Sequence, residues 1–285
     1  MTATASLELP PFLVGRAVRA ALEEDLGLAG DITTDPIIPA EARGAAEIVA
    51  REAGVIAGLD LAEASFRALD ADARFKRLIA DGAKVEAKTP VASIEAKTRA
   101  LLSAERVALN FLGRLSGIAS LTARYVAAAK GTKARIACTR KTTPGFRAFE
   151  KYAVRAGGGV NHRFGLYDAV LVKDNHIAAA GGLAEALTRL PARSGHLVKI
   201  EVEVDTLAQL EEALRFPIDA VLLDNMDAAT LTKAVALVDG RVLTEASGGV
   251  NLNTVGKIAE SGVDLISVGA LTHSAPCLDL GLDWR

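Results

Sequence analysis

From Gly131 onward the chain repeats one unit, a short apolar run followed by a helix-patterned segment, and this alternation restricts the fold more than any other feature. The runs are ARIAC, AVLVK, VKIEVEV, AVLLD, RVLTEA and LISVG, with helical patterns at 149–155, 182–190, 206–215, 227–238 and 251–261. Nearly continuous apolar strands that each lead into a helix form a parallel sheet covered on both faces. Six strands at spacings of roughly 20 to 35 residues suit an incomplete (β/α) barrel better than a doubly wound sheet. No GxGxxG motif follows a strand and no GxxxxGK loop occurs, which disfavours nucleotide binding by those two routes.

The N-terminal part follows another rhythm. Leu13, Val14, Ala17, Val18, Ala21 and Leu22 predict an amphipathic helix that stops at Gly27, and GLAGDITTDPIIP then reads as loop or extended chain. Between Gly44 and Glu95, strand-like runs surround one helical pattern, LDLAEASFRALD, giving a compact α+β unit. Thr98 to Lys130 reads as mostly helical with a break near Gly113 to Gly117, which places a domain boundary at 112/113.

The bulk properties exclude several classes of function. Of 285 residues half are apolar, so a sizeable core is available, and the net charge of -2 lacks the broad basic field that nucleic acid or a membrane surface requires. Two cysteines, Cys138 and Cys277, without metal-site spacing fit a reducing cytoplasm. MTATASLELPPFLVG has neither a basic start nor an apolar core, and no stretch approaches the ~20 apolar residues of a membrane span, so secretion and membrane insertion are not expected.

Against that neutral background, Thr139 to His176 carries seven basic residues (Arg140, Lys141, Arg147, Lys151, Arg155, Arg163, Lys173) and three acids, with His162, His176 and a three-glycine run. Such a segment suits a small, strongly anionic ligand. Polar residues also follow every predicted strand: Arg140-Lys141, Lys173, Glu203, Asp224, Glu245 with Ser247, and Gly269. At the carboxyl ends of barrel strands such groups converge on one mouth. A lone Lys or Asp after a strand is more often a cap or loop charge, but six strand ends together point to a site. SGGVN and SVGAL open onto helices or turns where backbone N–H groups can hold phosphate. Arginine offers planar paired donors to carboxylates, and lysine a compact charge. Glu203 and Asp224 suit ribose hydroxyls and Mg2+ held through water.

These stretches together resemble quinolinate phosphoribosyltransferase: TRKTTPGFRAFEKYAVRAGGGVNHRFGLYDAVLVKDNH, EVEVDTLAQLEEAL, VLLDNM, EASGGVN and SVGALTHSAPCLDLGLD, with EDLGLAGDITT and SAERVALNFLGRLSGIA upstream. The resemblance implies an N-terminal α/β sandwich (1–112, joined by the tail 275–285) and a seven-stranded incomplete α/β barrel (113–274). It implies NAD biosynthesis: quinolinate and phosphoribosyl pyrophosphate (PRPP) give nicotinate mononucleotide, pyrophosphate and CO2, with Mg2+. It further implies a homodimer or a larger assembly of dimers. Carried over by position, Arg140, His162, Arg163 and Lys173 hold the quinolinate carboxylates with Thr139 beside them, and Lys141 lies between acid and donor. Arg106 is contributed by the neighbouring subunit. Glu203 and Asp224 stand near ribose and metal, and Ser247, Gly248, Gly249, Val268, Gly269 and Ala270 hold phosphate. Other readings stay open: a molybdate-transport-associated relative, expected to lack GLYDAVLVKDNH, a Schiff-base barrel lyase using Lys173, and a non-catalytic phosphate-ligand binder.

Overall fold

A computed structural model describes residues 8–190 and 195–285, so the first seven residues of the N-terminal stretch lie outside it. The first half of the chain forms α1 (Pro11–Leu26), α2 (Thr34–Ile37), β1 (Arg43–Ala50), β2 (Gly54–Val55), α3 (Leu59–Leu69), β3 (Arg74–Arg77), β4 (Lys84–Val85), β5 (Pro90–Lys97) and α4 (Thr98–Ala128). The second half forms β6 (Arg135–Ala137), α5 (Arg147–Ala156), β7 (Val170–Val172), α6 (Asp174–Ala180), α7 (Leu183–Arg189), β8 (Ile200–Val204) and α8 (Leu207–Ala213). It continues with β9 (Ala220–Asp224), α9 (Ala228–Val238), β10 (Leu243–Ser247), α10 (Val255–Glu260), β11 (Leu265–Ser267), α11 (Ala270–His273) and β12 (Leu280–Trp284). Among the described residues no helix is long and apolar enough to cross a membrane.

The chain divides into two compact units. The first holds the chain up to Ala123 together with Ala148–Gly158 and Ala275–Arg285. Its antiparallel sheet has the order β12-β1-β5-β3, with Ile48 opposite both Leu282 and Ala92. The alternating apolar residues of β1 and β5 point to one face, where Ile48, Ile94, Phe66, Leu101 and Leu112 are fully buried. In α1, Val14, Val18 and Leu22 share one buried stripe at a spacing of four, as their period predicts.

Helix α4 runs unbroken through the expected boundary and through the break expected at Gly113 to Gly117. Packing explains these glycines. A Cβ at Gly117 would overlap the Pro276 carbonyl oxygen, and one at Gly113 would stand 3.0 Å from that of Leu278, whose N–H donates to the Gly113 carbonyl. The tail is thus seated on bare helix backbone. Gly117→Ala is expected to lower the unfolding free energy by about 3 kcal/mol through overpacking, read as a shifted urea midpoint. A change within about 0.5 kcal/mol would mean that the tail is not held there.

Helix α5 departs from the expected alternation, because it belongs to the first unit instead of covering the parallel sheet. Glu150 and Lys151 on it are completely buried; Arg114 Nη2 donates to Glu150 Oε1 at 2.7 Å and Arg114 Nη1 to the Ala275 carbonyl at 3.0 Å. Tyr152 donates to Asp81, whose carboxylate also caps α3 by accepting from the Gly58 and Leu59 N–H groups. Burial pushes the Asp81 carboxyl above its ordinary range, and these donors oppose the shift.

The second unit, Arg124–Arg147 and Gly159–Ser274, is built on a six-stranded parallel sheet in the order β6-β11-β10-β9-β8-β7. All five strand pairings are parallel, as the apolar runs predict. A seventh strand is reduced to one parallel bridge, Val160 to Ala137, on the outer side of β6. Hydrogen bonds do not close the ladder between Val160 and β7, so the barrel is incomplete. Three short helices, α2 within the stretch expected to be loop or extended chain, α6 and α11, do not show as periods because four to seven residues span too few turns.

Candidate active site

The carboxyl ends of these strands enclose a cavity of about 400 Å³ lined by Thr139, Arg140, Lys141, His162, Arg163, Leu171, Lys173, Glu203, Leu222, Asp224, Glu245, Ser247 and Ser267. Several wall residues follow from strand geometry, while Thr139, Arg140, Lys141, His162 and Arg163 lie on the segments between β6 and β7. Side chains two apart share a face, so Leu171 and Lys173, Leu222 and Asp224, and Glu245 and Ser247 turn inward in pairs. The same alternation in IEVEV sends Val202 and Val204 into the buried layer and puts Glu201 beside Glu203 on the other face.

The basic side of the cavity is held from behind. Thr139 Oγ1 accepts from the Lys141 N–H at 3.0 Å, and Thr272 Oγ1 donates to the Lys141 carbonyl at 2.7 Å. The Lys141 side chain and the His273 ring both approach Gly269, where a Cβ would lie 3.0 Å from Lys141 Cδ and 3.2 Å from His273 Nε2. Arg163 Nη1 donates to the Ala169 carbonyl at 3.0 Å. The Nε atoms of Arg140 and Arg163 are buried without a hydrogen-bond partner. Burial, and then the neighbouring Arg140 charge, push the Arg163 guanidinium below its ordinary pKa, with Glu201 and Asp168 opposing. Two crowded, desolvated cations with unused donors are a receptor for anionic oxygens.

The acidic side has its own pairing. Lys173 Nζ lies 3.1 Å from Glu203 Oε2. Burial and then the Asp205 charge raise the Asp224 pKa, while Lys173 and Lys141 oppose the shift. Asn225 takes φ 52° and donates from its side chain to Asp224 Oδ2 at 2.6 Å. Next to it Gly248 takes φ 91°, and a Cβ there would overlap Asn225 Oδ1, so the turn after β10 requires glycine.

His162, Glu201 and Glu245 form a further group whose potential ligand atoms all lie within 4.8 Å of one another. It has the composition of a metal site but not its protonation. The Arg163 N–H donates to His162 Nδ1 at 2.7 Å, so the ring proton sits on Nε2, facing Glu201 Oε2 at 2.9 Å. A protonated nitrogen cannot ligate a metal.

Comparison with known proteins places this arrangement. Residues 31–116 match the family model "Quinolinate phosphoribosyl transferase, N-terminal domain", and 118–283 match the corresponding C-terminal domain. The chain belongs to the quinolinate phosphoribosyltransferase family. It is 45% identical over 271 residues to the nicotinate-nucleotide pyrophosphorylase (carboxylating) of Mycobacterium leprae, covering 93% of this chain and 95% of that one. Among solved structures, NadC from Streptococcus pyogenes superposes with a TM-score of 0.94 at 41% identity, covering 98% and 100% of the two chains. The nicotinate-nucleotide pyrophosphorylase of Francisella tularensis gives 0.91 at 38%, covering 98% of each.

Within this family member, the nine residues Thr139, Arg140, Lys141, His162, Arg163, Lys173, Glu203, Asp224 and Ser247 meet at one cavity. Gly248 and Gly249 follow it in the turn after β10, and Val268, Gly269 and Ala270 follow β11, with Val268 buried. Arg106 lies on α4 in the first unit, exposed. The basic segment, seven cations against three acids, divides: Lys151 is buried in the first unit, and Arg140, Lys141, Arg163 and Lys173 line the cavity together with Glu203, Asp224 and Glu245. Leu171, Glu201, Leu222 and Ser267 escaped the sequence reading, and His273 was not singled out. The signal for the first three was the two-residue period counted back from each strand end. His176, singled out within the basic segment, is a cap whose Nδ1 accepts from the Lys173 N–H at 3.0 Å.

Proposed function

We propose that this chain transfers the phosphoribosyl group of PRPP to the ring nitrogen of quinolinate and releases pyrophosphate and CO2, forming nicotinate mononucleotide in the cytoplasm. The observation that carries this reading is the pair of buried Arg140 and Arg163 Nε atoms without partners, in a cavity that also holds Lys141, Lys173 and two strand-end carboxylates. The guanidiniums take the two ring carboxylates. Lys141, between that end and the glycine turns, offsets charge on the departing pyrophosphate. The N–H groups of Ser247, Gly248 and Gly249 and of Gly269 and Ala270 receive phosphate; that of Val268, expected among them, is instead donated to the Ala137 carbonyl at 2.9 Å, so Val268 only places the turn.

Holding two reactants in attack geometry removes ~7–11 kcal/mol of barrier in favourable systems, so positioning is the main contribution. Glu203 and Asp224 face the positive charge that develops on the sugar. The same two residues would hold Mg2+: Asp224 lies among negative neighbours whose charge a hard cation relieves. When bound, the ion adds positive charge against the pyrophosphate. After ribosylation the pyridinium ring accepts the electron pair left by its 2-carboxylate, so CO2 loss needs no organic cofactor. In a homodimer, Arg106 of each subunit serves its neighbour's cavity.

The test is release of labelled CO2 from quinolinate labelled in its 2-carboxylate. Release is expected to require PRPP and Mg2+. Nicotinate, which leaves one guanidinium unpaired in a desolvated pocket, is expected to be used at least about 10⁴-fold less efficiently. Equal use of the two acids would refute the two-carboxylate pocket. Trapping of a substrate carbonyl on Lys173 by borohydride would favour the Schiff-base reading instead.

A further inference from the structure

We infer that Glu201 is a positioning residue that locks His162 between itself and Arg163, so that His162 orients the arginine and gives no hydrogen bond of its own to the ligand. This deepens the proposed reading of the same cavity and rests on it only for the identity of the ligand. Both ring nitrogens of His162 are committed. Nδ1 accepts from the Arg163 backbone N–H at 2.7 Å, which leaves the proton on Nε2. Nε2 lies 2.9 Å from Glu201 Oε2 and 3.7 Å from Glu245 Oε1. The His162 and Glu201 side chains are each 12% exposed and that of Glu245 4%, so the group is sheltered from competing water.

A ligand carboxylate could reach the Nε2 proton only by displacing Glu201, exchanging one carboxylate for another with no gain in pairing. The ring also acts on Arg163 from one end, while Ala169 holds the guanidinium from the other. The chain of contact thus runs from Glu201 on β8 through the imidazole to the Arg163 backbone. Arg163 Nε, buried and without a partner, remains as a donor for a ligand. The strand explains the origin of the brace: Glu201 is two residues before Glu203, one layer below the strand end.

The experiment is nitrogen NMR of histidine-labelled protein, the His162 resonance being assigned by its loss in His162→Asn. The expected spectrum shows Nδ1 unprotonated and Nε2 protonated, unchanged when quinolinate saturates the site. Glu201→Ala is expected to lose this tautomer preference and raise the quinolinate KM by about 10- to 100-fold with kcat changed far less. Glu201→Gln, whose amide oxygen still accepts from Nε2, is expected to keep the tautomer and recover most of the affinity. A second proton on the ring or a tautomer swap on quinolinate binding would overturn the proposal, as would an unaltered KM in Glu201→Ala. The ligand-free spectrum needs no substrate and, beyond the wild type, only the assignment variant His162→Asn. Wild-type protein that shows the expected tautomer but no PRPP-dependent CO2 release would refute the functional reading and leave the brace standing.

Discussion

Arg163→Ala is expected to lower kcat/KM for quinolinate by about 10²- to 10³-fold, the effect of removing one partner of a desolvated charge pair. The guanidinium is fixed by Ala169, crowded by Arg140, and has its Nε buried without a partner, so its donors are held ready for a ligand carboxylate. Discrimination should shrink with affinity. With one guanidinium gone the pocket no longer carries an unpaired donor when nicotinate is bound, and the preference for quinolinate over nicotinate should narrow by at least about tenfold. Arg163→Lys should not restore activity, because an ammonium cannot hold the Ala169 carbonyl and a carboxylate in one plane. Steady-state kinetics with both acids measures all three outcomes. A loss below about threefold in Arg163→Ala would place the carboxylate receptor elsewhere.

Glu150→Ala is expected to destabilise the first unit by about 3–5 kcal/mol, among the largest effects open to a single substitution in this chain. Glu150 has no exposed side-chain surface and receives the Arg114 guanidinium, which is itself 23% exposed and also bonded to the Ala275 carbonyl. Truncation leaves that charge in a poorly hydrated site, while the ion pair joins α4, α5 and the start of the tail. Urea unfolding of wild type, Glu150→Ala and the double variant Glu150→Ala/Arg114→Met would separate the parts. The double variant should recover part of the loss, because the Arg114 charge is then not left without its Glu150 partner. A single-variant cost below about 1 kcal/mol would mean that the pair is hydrated in solution.

Much of the site was legible because it depends on local rules. A strand must end before its helix begins, and in a parallel barrel all such ends face one side, so Arg140, Lys141, Lys173, Glu203, Asp224 and Ser247 could be grouped without knowing their distances. What lay two residues further back required the inward face of each strand, and VKIEVEV reads as a nearly continuous apolar run. Glu201 was lost for that reason, and with it the partner that commits the His162 ring.

The chain by itself determined its periods: the stripe of α1, the alternation of β1 and β5, the six apolar runs and the turn glycines after β10. Periodicity follows from backbone geometry, which every residue carries with it. Only the tertiary structure decided that Gly113 and Gly117 lie inside an unbroken helix, because the reason is the backbone of residues 276–278, more than 150 positions away. It likewise decided that Lys151 is buried in the first unit while Lys173 lines the cavity and meets Glu203 of the neighbouring strand. Charge on a linear segment shows what is available; which charges meet depends on strand order and register, and these are set by non-local pairing.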